Sequence, residues 1–212
     1  MRGKVAWLVV FAVSMALVEA AVVVYLREII GEGLIFPMKE IPPALLAVEV
    51  GREGATIVML VSVAILSVRG GLRRMGAFLL TFAVWDIFYY LWLFVTIDWP
   101  AGIGDWDVLF LIPLPWVGPV WSVLLLCAGM IVFSSLFLRA PEEARFSPGT
   151  WGWASGIGGM AVIVATYILE WRKIGYGAQI PTDFSALPFF LGVALLFASG
   201  YITFRNALAS AG

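Results

Sequence analysis

About six runs of mostly apolar residues dominate this chain, each near the ~20 residues that a helix needs to cross the hydrocarbon layer of a bilayer. They fall at about Val5–Leu26, Ala44–Val68 and Gly76–Ile97, within Val108–Leu138, and at about Trp151–Glu170 and Ala186–Phe204. The runs do not alternate apolar with polar residues, so a transmembrane β-barrel is excluded. Lipid offers an open backbone no hydrogen bonds, which leaves helices. The expected fold is all-α: one domain over residues 1–212, a polytopic transmembrane bundle of about six spans in the cell membrane, with the lipid bilayer as its main partner. Composition carries the exclusion further. Hydrophobic residues make up 62% and charged residues 13%, where soluble domains carry roughly 45–50% and ~25%. A soluble enzyme, a disordered chain and a nucleic-acid binder are all ruled out.

Two absences narrow the chemistry. The chain has no histidine, so a His-ligated haem, a zinc site of the H-E-x-x-H kind and a His-activated nucleophile are excluded. Cys127 is the one cysteine, which excludes disulfides and Cys-ligated iron–sulfur clusters. A retinal Schiff base would need a lysine inside a span, and Lys4, Lys39 and Lys173 all fall outside the middle of one.

Lysine and arginine set the expected orientation. One side of a six-span chain collects Arg2, Lys4, Arg69, Arg73, Arg74, Arg139, Arg145 and Arg205; the other collects Arg27, Lys39, Arg172 and Lys173, with Arg52 near that end of its span. Both termini are therefore expected in the cytoplasm. Glu19 sits where a signal-peptide cleavage region would be small and neutral, so the first run reads as a retained span. Ile30–Pro43 reads as an external loop. Pro113, Pro115 and Pro119 interrupt the fourth run, which predicts a re-entrant or kinked start with the spanning helix beginning near Trp116. Gly152/Gly156 and Ser155/Gly159 are small-xxx-small pairs, suited to close helix packing within the chain or to a homo-oligomer. Trp99, Trp106, Trp121, Trp151, Trp153 and Trp171 fall near span ends, where an interfacial belt would place them.

Ionisable residues inside spans are costly, and they mark either function or pairing. Glu19 lies just outward of the middle of the first span. Glu49, Arg52 and Glu53 lie in the outer half of the second, at i, i+3 and i+4, hence on one helix face. Asp86 lies near the middle of the third, followed at i+3 and i+4 by Tyr89 and Tyr90, whose hydroxyls could bond to buried carboxylates. At 1.5 Å per residue, Glu19, Glu53 and Asp86 share a depth to within roughly two turns. The expected site is thus a buried cluster of Glu19, Glu49, Arg52, Glu53 and Asp86 with Tyr89 and Tyr90 beside it. One arginine cannot balance four carboxylates, so such a set takes up protons, binds a cation or sits in water. Three functions compete: a site for a cation or small polar ligand, with transport as its use; a packing network in a structural or accessory subunit of a membrane complex; and a membrane-embedded hydrolase.

The hydrolase alternative rests on Trp85-Asp86-Ile87-Phe88-Tyr89 and Gly102-Ile103-Gly104-Asp105, which resemble the Tyr-Asp and G-x-G-D motifs of intramembrane aspartyl proteases. In that family two aspartates share a proton and activate water. This chain departs from the pattern: the first aromatic is Trp, no Pro-Ala-Leu motif follows Asp105, and the depths of Asp86 and Asp105 differ by roughly 10–15 Å. The stretches Val84–Tyr90 and Asp107–Pro119 are also similar to those of a group of uncharacterised bacterial membrane proteins, a resemblance that implies no activity.

Overall fold

The computed structural model describes residues 2–30, 42–174 and 183–209. Among them are six helices and one two-stranded hairpin: α1 (Arg2–Ile30), α2 (Pro43–Ser67), α3 (Gly71–Ile97), β1 (Trp106–Phe110), β2 (Trp116–Pro119), α4 (Val120–Arg139), α5 (Gly149–Ile174) and α6 (Ala186–Ala209). All six helices are long and apolar enough to cross a membrane. The chain thus has the build of a multi-pass helical membrane protein. Most of the expected Ile30–Pro43 loop lies outside the described residues.

The breaks between helices follow the backbone chemistry. Pro43 opens α2, at the position where a missing N–H costs nothing. Gly70 caps α3 at φ 83°, and a Cβ there would meet the Glu142 carbonyl oxygen at 2.7 Å, so only glycine fits the turn. Arg73 braces the same turn by donating from Nε to the Ala140 carbonyl at 2.9 Å.

The fourth run differs from expectation. Its proline-rich start is not a kinked helix but an antiparallel hairpin, pairing Trp106 with Pro119, Asp107 with Gly118, Val108 with Val117 and Phe110 with Trp116. Pro113 and Pro115 lie in the connection between the strands, where their lost donors break no ladder bond. The spanning helix begins at Val120, past the last proline, not near Trp116. Gly118 lets the hairpin close on α5, since a Cβ there would strike the Tyr167 ring at 2.5 Å. The Tyr167 hydroxyl donates to Ser122 Oγ at 2.9 Å, and Ser122 donates to the Pro119 carbonyl.

Two helix groups flank a gap. On one side α1 and α2 pack on α3, and α3 packs on α4. Ala12, Ala16 and Ala20 form a small, fully buried face of α1, and Trp92 of α3 donates from its indole to the Val13 carbonyl at 3.1 Å. On the other side α5 pairs with α6. The small residues of α5 serve this contact: a Cβ on Gly159 would meet the Gly192 carbonyl oxygen at 2.8 Å, and one on Gly156 would meet Ser199 Oγ at 2.8 Å. The α5–α6 pair reaches the rest of the molecule through β2 and α4. One end of the bundle carries the hairpin; the other carries both termini. Not all the tryptophans form a belt. Trp151 and Trp153 are exposed, but Trp106 is buried against Phe184 because the hairpin folds it inward.

Candidate functional site

The site is built at the hairpin end from α1, α2, α3 and β1. Arg52 and Glu49 are one turn apart on α2, and Arg52 turns its Nε/Nη2 edge to Glu49, with Nε to Oε1 at 2.9 Å. Its third nitrogen, Nη1, meets Glu19 Oε2 of α1 at 2.8 Å. This places the fixed positive charge between two carboxylates, as the spacing anticipates, and ties α2 to α1. Glu53, the next residue along, is buried and does something else. Both of its oxygens accept the Leu111 amide at 3.0 Å, so α2 holds the connection between the two strands.

Asp86 comes from the middle of α3. Its partner is the Cys127 thiol of α4, across 3.8 Å, a weak donor for a carboxylate. Tyr90 does turn its hydroxyl to a buried carboxylate, though not to Asp86. A phenol carries its hydroxyl far from the helix axis, so it reaches a neighbouring element rather than a carboxylate on its own helix. Tyr90 faces Asp107 of β1 instead, and it packs against Tyr89 and Trp99.

Asp107 and Arg27 complete the site, and sequence reasoning passes over both. Asp107 is 5% exposed and accepts its neighbour's Val108 N–H at 2.9 Å. Burial pushes its carboxyl up to about 7, against the pull of Tyr90, the Val108 amide and Arg27; Glu19 adds a smaller push upward. Arg27 stacks over Trp99 at 4.6 Å. Its Nε and Nη2 are buried and have no hydrogen-bond partner among the described residues. In the sequence, Arg27 is one charge at a span end and Asp107 one acid in a polar loop. Only the tertiary fold brings them together: β1 carries Asp107 into the cavity wall, and Arg27 reaches the same wall from the end of α1, stacked on Trp99.

All seven residues expected from the sequence, Glu19, Glu49, Arg52, Glu53, Asp86, Tyr89 and Tyr90, line one cavity of about 520 Å³, and Arg27 and Asp107 line it with them. The polar groups gather at the hairpin end. From there the lining turns apolar, through Phe82, Met130 and Phe133 to Phe137, in the gap between α3–α4 and α6. From Met75 to Tyr90 of α3 the cavity follows the helix for roughly 22 Å at 1.5 Å per residue. Its volume lies in the range of small-molecule sites, about 300–1,000 Å³. Among the described residues, no three carboxylate or thiol groups converge closely enough to hold a metal ion. Asp105, the second aspartate of the protease-like pattern, turns away to cap its own loop, accepting the Ala101 amide at 2.7 Å. It does not line the cavity with Asp86.

Glu170, the other acid at a span end, has a separate role. It is 1% exposed, pairs with Lys173 at 2.8 Å and accepts the Ser185 amide at 3.0 Å, so it joins the end of α5 to the approach of α6. Comparison with protein-family models, curated proteins and solved structures finds no match to this chain.

Proposed function

We propose that this protein is a binding protein of the cell membrane. Its hairpin end faces outward and its termini face the cytoplasm, and its cavity takes a small molecule by a polar group. Carriage of that molecule to or from the outer face is the natural use of such a site. One observation carries the reading: charged residues of four elements line one cavity, and the acids there outnumber the ion pairs that Arg52 makes. Arg52 pairs with Glu19 and Glu49, while among the described residues Asp86 has the Cys127 thiol for its hydrogen-bond partner. A network built for packing alone would bury each such group against a strong partner.

The test is the melting temperature of the detergent-solubilised protein across a panel of cations, small polar solutes and amphiphiles, for wild type, Glu53→Gln and Asp86→Asn. A compound that binds the folded state alone raises the melting temperature by mass action. A rise in wild type that shrinks in either variant supports the site. Flat curves for every compound reject it.

The accessory-subunit reading draws on a different observation, the Arg52 clasp between α1 and α2. Under it, loss of Arg52 lowers stability and no compound in the panel has any effect.

A further inference from the structure

Among the described residues, the buried side-chain nitrogens Arg27 Nε, Arg27 Nη2, Trp85 Nε1 and Trp116 Nε1 lack a well-formed hydrogen bond, the Trp85 indole having the Glu19 carboxylate near it. All three residues line the same cavity. All four atoms are donors. Buried donors left unpaired are rare and costly, and a set of them around one space describes an acceptor. The two on Arg27 are the more specific pair. Nε and Nη2 form one edge of the guanidinium, the fork that grips a carboxylate or phosphate with two parallel bonds. Arg52 turns that same edge to Glu49. On Arg27 the edge lies at the cavity wall, and no carboxylate of the described residues is bonded to it.

Below Arg27 the lining is suited to an alkyl chain. Phe82, Met130, Phe133 and Phe137 continue the cavity toward the end that carries the termini. The flanking Trp85 and Trp116 sit on either side of Phe110, with ring centroids 6.4 and 5.4 Å from it, so their indole N–H groups belong to the hairpin end as well.

We infer that the cavity receives a single-chain amphiphile with an oxyanion head, the head on the Nε/Nη2 edge of Arg27 and the chain running along α3 past Phe82 to Phe133. The inference rests on the ligand-site reading above and names its ligand class. Glu19 and Glu49 are held by Arg52, Glu53 by the Leu111 amide, and Asp86 contacts Cys127. Asp107, the acid facing Arg27 from β1, holds a proton through part of the neutral range, and in that form its hydroxyl can donate to the head. Tyr89 and Tyr90 face the same space from α3. A carboxylate head describes a free fatty acid, and a phosphate head a lysolipid; both present the oxyanion that the fork requires.

The experiment is equilibrium binding of radiolabelled palmitate to the full-length protein in detergent, with hexadecyl phosphate, hexadecanol and hexadecyltrimethylammonium as competitors. Palmitate is expected to bind saturably, hexadecyl phosphate to compete, and hexadecanol and the ammonium compound to compete about 10-fold or more weakly. Hexadecyl phosphate outcompeting palmitate assigns the head to phosphate; the reverse assigns it to carboxylate. Arg27→Gln is expected to weaken palmitate about 10- to 100-fold, the worth of charge-assisted bonds, and the exposed-site control Arg172→Gln to leave it unchanged. Met130→Trp should reduce palmitate binding but spare octanoate. Unchanged palmitate affinity in Arg27→Gln overturns the inference. So does preferential binding of the ammonium compound, which leaves the ligand cavity standing with a cationic ligand. Failure of all four amphiphiles while a small polar solute shifts the melting temperature also overturns it. Failure of every compound in both experiments removes the ligand cavity itself.

Discussion

Arg52 of α2 and Glu19 of α1 meet at 2.8 Å, and with Glu49 on the other edge of the guanidinium they tie together two helices that otherwise touch little. All three side chains are mostly but not fully buried. The pair is therefore partly shielded from water, and it stands at the wall of the cavity rather than in a closed core.

Arg52→Met leaves Glu19 and Glu49 facing each other without a cation. The expected loss of stability is about 2–4 kcal/mol, below the figure for a fully buried pair because the arginine keeps some solvent contact. Thermal unfolding in detergent measures it. The triple variant Glu19→Gln, Glu49→Gln, Arg52→Met should recover most of the loss. If the single variant melts with wild type, the clasp contributes nothing to holding α2 on α1.

Asp107 makes stability fall as pH rises. Its folded-state pKa is raised to about 7, above the ordinary aspartate value near 4. Between these values the folded protein holds a proton that the unfolded chain has released. Stability is therefore highest at or below about pH 4 and declines as pH climbs through about 7, by up to about 4 kcal/mol from this group. Asp107→Asn removes the proton step, so its stability should change less over the same window. Parallel pH profiles for the two proteins would show that Asp107 is not the responsible group.

The α5–α6 contact is backbone against backbone at Gly159 and Gly192. Gly192→Leu would drive a side chain into Ile163 and the Gly159 carbonyl oxygen, and it should cost about 1–3 kcal/mol or more through overpacking. Gly158→Leu is the control, since a Cβ there meets nothing within 4 Å. The two variants should separate clearly in a melting experiment. Equal behaviour would mean that α6 does not sit on this face of α5.

Glu170 is almost fully buried and holds Lys173 and the Ser185 amide at once. Glu170→Ala strips the amide of its acceptor, at an expected cost of about 1–3 kcal/mol. Ligand binding, by contrast, should be unchanged, because Glu170 is not in the cavity wall. A variant that melts normally but loses ligand would reverse that assignment.

Much of this architecture is legible in the residues alone. The apolar runs anticipate all six helices, and α1, α3, α5 and α6 extend beyond the expected ends through charged residues such as Arg2, Arg73, Lys173 and Arg205. The spacing of Glu49, Arg52 and Glu53 places them on one face, and they reach one cavity with Glu19 and Asp86. The partners were not legible. Glu53 looks like a third arm of the charge cluster, yet it binds a backbone amide, because the hairpin that offers Leu111 has no periodicity to announce it. Tyr90 finds Asp107 for the same reason.

How many segments can leave water, and which charges travel with them, is written in the order of the residues, since helix length and hydropathy are local properties of consecutive residues. Only the folded chain shows that the fourth run opens with a hairpin, that this hairpin carries Asp107 into the cavity wall beside Arg27, and that a gap between α3–α4 and α6 continues the polar cluster into an apolar cavity. Those relations join residues distant in the chain through backbone hydrogen bonds and side-chain volume. Neither leaves a periodic trace in the order of the residues.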